Sequence, residues 1–373
     1  MKKVFIISLV LFFLAGSFYA AYIFLLADEG ENSLTISTIG ESLTGINNPS
    51  VLSSKIRNFE KISDDMVEAI ALDDTKTKIK YYSSNLNGFW MMSFDGSFKK
   101  KVSSDDFSGL EKIYWSDDGQ QAILKMNGGY YLYSHNEGAK LIKNSKALNW
   151  LNFGKEIVYT FDANGKKTLN VANPDGSNWK EVSTLSDDDL IMQVVPKSSK
   201  TAFWPKSFSS QESEMALVAA GGTEMERLGD PKYGADFLWS PEGNRFLRSY
   251  VSEKGGNNLI LESCEAKEKT CVDLNLPTIA SKCVWLNDNE SVICAQIKDI
   301  ASNAVMPDDY WSGKNVSDDV FWKIDAERGK KEQILEDKDK TDKTDAVDLL
   351  LTPSDDFLFF RNRLDGKLYR IML

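Results

Sequence analysis

A short apolar strand, a tight polar turn and a second apolar strand recur seven times along the chain. The clearest copies are IYWSDDGQQAILKM (113–126) and FLWSPEGNRFLRSY (237–250). Aligned on the first strand, the copies anchor at Leu72, Trp115, Trp150, Val195, Trp239, Trp285 and Thr352. The spacings are 43, 35, 45, 44, 46 and 67 residues, and five of the six match the length of one propeller blade. The turns that follow the anchors (DDTK, DDGQ, NFGK, KSSK, PEGN, NDNE and SDDF) suit two-stranded hairpins. The second strands, such as KIKYYS, EIVYTF and FLFFRN, carry the β-branched and aromatic residues that strands favour. A third apolar strand follows each pair, and a more polar fourth, such as FKKKVS or KEQILE, follows six of them. Polar character is expected of an outer edge strand, and four antiparallel strands make one blade.

The seventh copy ends on KLYRIML without a fourth strand, while an orphan of fourth-strand composition, IRNFEKIS (56–63), precedes the first anchor. The pattern therefore predicts an all-β fold over residues 54–373, a seven-bladed β-propeller closed by its N-terminal strand. Upstream, residues 4–27 carry no charge. As a helix they would run about 36 Å, enough to cross a bilayer. Lys2 and Lys3 precede the stretch and Asp28, Glu29 and Glu31 follow it, which orients the N-terminus toward the cytoplasm. The run exceeds an ordinary signal-peptide core, so residues 1–27 are expected to form a transmembrane signal anchor, with the propeller extracytoplasmic; cleavage near Ala20 and Ala21 is the alternative. Residues 28–53, rich in Ser, Gly, Asn and Thr, read as a flexible tether spanning roughly 28 Å.

The net charge of −11 argues against nucleic-acid partners, which need a basic footprint. Cys264 and Cys271 flank one predicted turn symmetrically, and Cys283 and Cys294 flank another. Both pairs would face across a hairpin, and two structural disulfides are expected; free thiols or a zinc site are the alternatives.

Strand direction assigns each loop to a face. First–second and third–fourth turns share one face with the tether. Second–third loops and blade-to-blade links share the other, and the long insertions fall there. The largest, DIASNAVMPDDYWSGKN (299–315), holds Asp308, Asp309, Tyr310 and Trp311. These four are the candidate partner-binding residues, because an aromatic pair beside two carboxylates could grip a sugar ring, a peptide or a basic patch; the alternative is that Trp311 folds inward. Nucleophilic catalysis of the Ser/His/Asp kind finds little support: the one histidine, His135, falls in a turn on the tether face, and there is no GxSxG elbow. The acidic doublets Asp105–Asp106, Asp117–Asp118, Asp318–Asp319 and Asp355–Asp356 mostly occupy turns, where Asp is favoured for local hydrogen bonds. Asp187–Asp189 make at most a weak calcium signal, since no EF-hand-type loop accompanies them.

The phrases WSDDG and WSPEG, with FDGS and NPDGS after the next strands, resemble the WD40-like repeats of TolB-type propellers over roughly residues 54–373. The layout resembles membrane-anchored bacterial propellers of unassigned function. That resemblance implies binding through the loop-bearing face and central channel. The expected function is a non-catalytic scaffold, without cofactor or metal, whose membrane-distal face engages a protein or cell-envelope polymer. The alternatives are a carbohydrate-active enzyme using carboxylates at the channel mouth and a propeller that binds its own copies.

Overall fold

Each copy of the sequence pattern builds antiparallel sheet. The structure, a computed structural model, describes residues 59–373 except 74, 104, 106, 117–120, 135–137, 207 and 269. The expected anchor (1–27) and tether (28–53) lie outside the described residues. Among the described residues, no helix is long and apolar enough to cross a membrane.

The fold is all-β and propeller-like, with five four-stranded sheets and one of seven strands. One sheet shows how sequence sets the pairing. Leu110–Trp115, Gln121–Met126, Gly129–Ser134 and Gly138–Ile142 pair in chain order. Between the second and third, Asn127 and Gly128 both adopt positive φ, 51° and 71°. A two-residue hairpin turn whose twist matches its strands demands that conformation, and Asn-Gly adopts it most readily. Residues Ala122, Ile123 and Leu124 are fully buried in succession, as expected of a strand covered on both faces. The outer strand Gly138–Ile142 is mostly exposed, as is its counterpart Lys99–Ser103.

The seven-stranded sheet arises from a single 15-residue strand, Met225–Trp239. Its first part pairs with Glu212–Val218 and its last part with Arg245–Val251. The ladder shifts register at Ser213/Met215 and again at Tyr233/Asp236, where the chain leaves one partner for the next.

Apolar clusters fill the spaces between consecutive sheets. One joins Tyr82 and Phe89 to Leu110 and Leu124; another joins Ile79, Tyr81 and Met92 of the first sheet to Phe359 and Leu368 of the last. The last sheet is completed by Phe59–Lys61, which pairs with Leu368–Met372 as the orphan strand required. Phe59 is 1% exposed and packs against Phe360 and Tyr369. Arg370 bonds Glu60 at 2.6 Å and the Phe94 carbonyl at 2.8 Å, tying the closing strand to its neighbour sheet.

Both expected disulfides are present, Cys264–Cys271 and Cys283–Cys294, each between directly opposed residues of a hairpin. Neither free thiols nor a zinc site is formed by these cysteines.

Truncating Phe59 to Ala removes the side chain that seals the last sheet. It should cost about 3–5 kcal/mol, read as a lower urea midpoint, whereas Val102→Ala on an exposed outer strand should stay within about 0.5 kcal/mol. Equal midpoints for the two variants would contradict the closing role of Phe59.

Candidate functional site

The first strands of successive sheets surround a cavity of about 750 Å³. Leu110–Trp115, Leu148–Leu151, Leu190–Val194 and the last part of Met225–Trp239 all contribute walls. Side chains alternate along a strand, so each sends every second residue inward. Trp115, Trp150 and Trp204 provide apolar surface, and Trp311 reaches the same cavity from the 299–315 insertion. Glu111, Asp189 and Asp236 line it together with Lys112, Lys125 and Lys206.

Asp236 stands apart among the three carboxyls. It is 3% exposed, and its Oδ2 accepts the backbone N–H of Ser281 at 2.9 Å. Burial raises its pKa above the ordinary 3.8, with hydrogen bonding to Ser281 and the charge of Lys112 opposing in part. Lys112 itself stays open to the cavity while protein surrounds it. Tyr114, whose ring lies 5.4 Å from its Nζ, outweighs the loss of solvation, and with help from Asp348 and Asp236 holds the ammonium above the usual Lys range. Glu111 is paired with Lys125 at 3.5 Å and accepts the Gly128 N–H at 3.1 Å. A carboxyl that favours its neutral form, beside a cation and in a cleft, is a physical signature of acid–base chemistry.

The insertion places its four candidate residues very differently. Asp308–Trp311 forms one helical turn. Asp308 accepts the Ser209 N–H at 2.8 Å, and Asp309 accepts the Val305 N–H at 2.9 Å and Lys314 at 3.1 Å. Both carboxylates are thus committed to holding the loop. Tyr310 is 0% exposed, whereas Trp311 is 41% exposed and packs edge-on against it. The expected four-residue grip therefore reduces to Trp311, because the other three fix its position.

The fixation has a centre that sequence reasoning missed. Lys282, 1% exposed, donates from Nζ to Tyr310 Oη, Asp319, Asp345 and the Ala346 carbonyl, all at 2.8–2.9 Å. Arg363 bonds Asp345 at 2.8 Å and the Tyr310 carbonyl at 2.8 Å, and its guanidinium lies 4.1 Å from the Tyr310 ring centroid. Two cations thus balance two buried carboxylates. Burial pushes Asp345 up, but Lys282, Tyr310 and Arg363 together hold its carboxyl below the ordinary 3.8. Burial likewise disfavours the Lys282 ammonium, and Asp319, Tyr310 and Asp345 more than reverse that. A buried lysine is rare enough that the sequence ASKCVW gave no reason to place one there. The signal available was an aspartate directly before each of two later strands, Asp319 before Val320–Asp325 and Asp345 before Ala346–Leu351.

The remaining acidic candidates do not converge. Asp187–Asp189 splits three ways: Asp188 is buried against Lys167 at 2.8 Å and Lys146 at 3.4 Å, Asp189 faces the cavity, and Asp187 faces a neighbouring groove. Asp105 accepts the Tyr133 hydroxyl, Asp318 pairs with Lys340, and Asp355 accepts from Asn287. Asp356 sits in the same turn, accepting from Ser354. Asp106, Asp117, Asp118 and His135 lie outside the described residues. Among the described residues, one group of three potential ligands is close enough to hold an ion, Glu262 with Cys264 and Cys271, and its two sulfurs are joined in a disulfide.

No protein-family model matches the chain, and neither does any curated protein sequence. Among solved structures, it is similar to the β-propeller domain of Cps50 (Swd1) from Myceliophteria thermophila, with 8% identity, 84% of this chain and 99% of that one covered, and TM-score 0.52. The fold is that of a β-propeller. TolB from Acinetobacter baumannii is itself among the matches, at 12% identity over 71% of this chain and 62% of that one, TM-score 0.45. Two oligogalacturonate lyase structures, one in complex with manganese and one from Vibrio parahaemolyticus, match at 11% and 10% identity, each over 84% of this chain and 93% of that one, with TM-score 0.58. These similarities correct the expectation of a non-catalytic scaffold and of no enzymatic activity. The propellers with the higher TM-scores carry the names of enzymes, so this fold is no argument for a bare scaffold. The cavity does not reproduce a manganese centre, since no three of its carboxylates gather their oxygens around one point.

Removing one partner of the buried charge network should be costly. Asp345→Asn leaves Lys282 and Arg363 with one anion too few and should lower stability by about 3–5 kcal/mol; Lys338→Ala, which breaks an exposed pair with Glu336, should change it by less than about 1 kcal/mol. Because the Asp345 pKa is depressed on folding, its contribution is present above 3.8 and is lost as pH falls through the lower folded value. Urea midpoints measured along an acid titration check both points; a difference between wild type and Asp345→Asn that persisted unchanged into strong acid would contradict the assignment.

Proposed function

We propose that the protein is a carbohydrate-active enzyme that cleaves an acidic saccharide at the loop-bearing mouth of the propeller cavity. The observation that carries this reading is Asp236, a buried carboxyl whose pKa burial raises, set in the same cavity as Asp189, Lys112 and an exposed tryptophan. In this reading Asp236 donates its proton to the departing glycosidic oxygen. Asp189, directly before the inner strand Leu190–Val194, takes a proton from the attacking water, whose oxygen bonds the anomeric carbon as the glycosidic bond breaks. Lys112 and Lys206 neutralise the acidic group of the sugar, and Trp311 supplies a platform for its apolar face. The name of the oligogalacturonate lyases supports an acidic sugar as substrate.

We count the seven-stranded sheet as two blades sharing Met225–Trp239, which makes seven blades in all. With residues 4–27 as a membrane anchor, the propeller would lie outside the cytoplasm, within reach of an envelope polymer. This placement rests on the uncharged N-terminal run and the charges that flank it.

The protein should release new reducing ends from polygalacturonate or a related uronate polymer, followed by a reducing-end assay. Asp236→Asn should lower kcat about 100-fold or more while saccharide binding persists. Because the pKa of Asp236 is raised, the active protonated form is favoured at low pH, and kcat should fall as pH rises through that value. Full turnover by Asp236→Asn, or no turnover of any acidic glycan by the wild type, would remove this reading.

A further inference from the structure

A second cavity, of about 580 Å³, opens beside the first on the loop-bearing face. Lys167 and Asp187 form one bank, Gln211 and Ser213 the other, and Lys206 lines both cavities. Lys206 thus stands at the boundary of the two spaces, and the groove lies beside the channel between adjacent sheets.

Three side chains here have bonding capacity left over. Ser213 is 7% exposed, and its Oγ is buried with no hydrogen-bond partner. Buried hydroxyls are nearly always satisfied, so an orphan one calls for an occupant. Ser213 sits where the ladder with Met225–Trp239 shifts register, a bulge that re-aims the side chain. No carboxylate of the described residues pairs with Lys206; its Nζ lies 5.7 Å over the Phe208 ring. Lys167, by contrast, is held by Asp188 at 2.8 Å and Asp187 at 3.8 Å and is not available to a ligand. Gln211 is exposed at the rim, with its backbone, and not its amide group, engaged in the local turn.

We infer that this groove is a saccharide subsite, holding the units that continue from the one in the cavity, so that the enzyme is selective for chains over short fragments. An unpaired ammonium at the junction suits a sugar carboxylate, and a buried hydroxyl with an amide beyond it suits the hydroxyls of the next unit. The inference rests on the proposed function and adds the length of the substrate and the direction in which it lies.

The test uses Asp236→Asn protein to prevent turnover and two galacturonate probes, a dimer and a longer oligomer, in calorimetric titrations. The longer oligomer should bind about 10-fold more tightly, the gain of one or two good hydrogen bonds. Adding Ser213→Ala with Gln211→Ala should abolish that gain while leaving dimer affinity within about twofold; Lys206→Met should weaken both probes. Gln211→Ala alone, at an exposed rim position, should remove part of the gain even if the Ser213 change disturbs packing. Equal affinity for the two probes, or a length gain that survives the double change, would overturn the subsite while leaving the proposed function standing. Failure of both probes to bind would overturn both.

Discussion

The pairing of Phe59–Lys61 with Leu368–Met372 is the constraint on which the rest of the molecule depends. Sheets of this kind bury apolar side chains on both faces, so each needs a neighbour on either side. In an open row the first and last sheets would each expose one apolar face. Closure converts the row into a ring in which Met92 and Phe359, at opposite ends of the chain, share one cluster. The cavity follows from the same closure. Its walls are the inner strands of several sheets, and their separation is set by how the sheets wedge against each other and not by contacts across the cavity. A carboxyl placed on such a wall, as Asp236 is, is positioned by the whole ring.

The insertion at 299–315 solves a different problem: how to fix an aromatic side chain at the rim of that cavity on a loop. Apolar packing contributes through Met306 and Tyr310, which join Val251, Ile279 and Ile297 in a cluster of their own. Direction is given by the Lys282 network: Lys282 donates to Tyr310 Oη, the Tyr310 hydroxyl donates to Asp345, and Arg363 donates to the Tyr310 carbonyl. Trp311, the next residue, then has little choice of where to point. The polar centre is buried and built on ion pairs, which is a poor way to add stability but an effective way to specify one arrangement.

Most of the fold was legible in the sequence because it depends on local, repeated features. Turn residues such as Asn127-Gly128, the alternation of apolar and polar strands, and the unmatched strand near Phe59 each express a short-range rule. The disulfide pairs were legible for the same reason, as each is symmetric about one turn. The site was not legible, because its residues meet only through the ring. Asp236 belongs to no motif. It lies inside a strand that the repeat pattern reads as a link, and its chemistry comes from burial against Ser281 some forty-five positions later. Lys282 and Asp345 are likewise brought together across 63 positions. The aromatic–acidic signature at 308–311 marked an insertion in which three of the four residues brace the fourth.

Ring closure also imposes an order on biosynthesis. Glu60 and Arg370 are 310 positions apart, and the strand that seals the fold is among the first parts of the described chain to be made. Its partner is among the last. A ribosome therefore delivers the closing strand long before anything exists for it to pair with, and the first sheet must wait with one apolar face uncovered until the final residues emerge. Sheets in the middle of the chain face no such delay, since both neighbours arrive soon after them. The early sheets are thus the part of this molecule most in need of protection while it is being made, a burden that arises from topology and that no change at the cavity would lift.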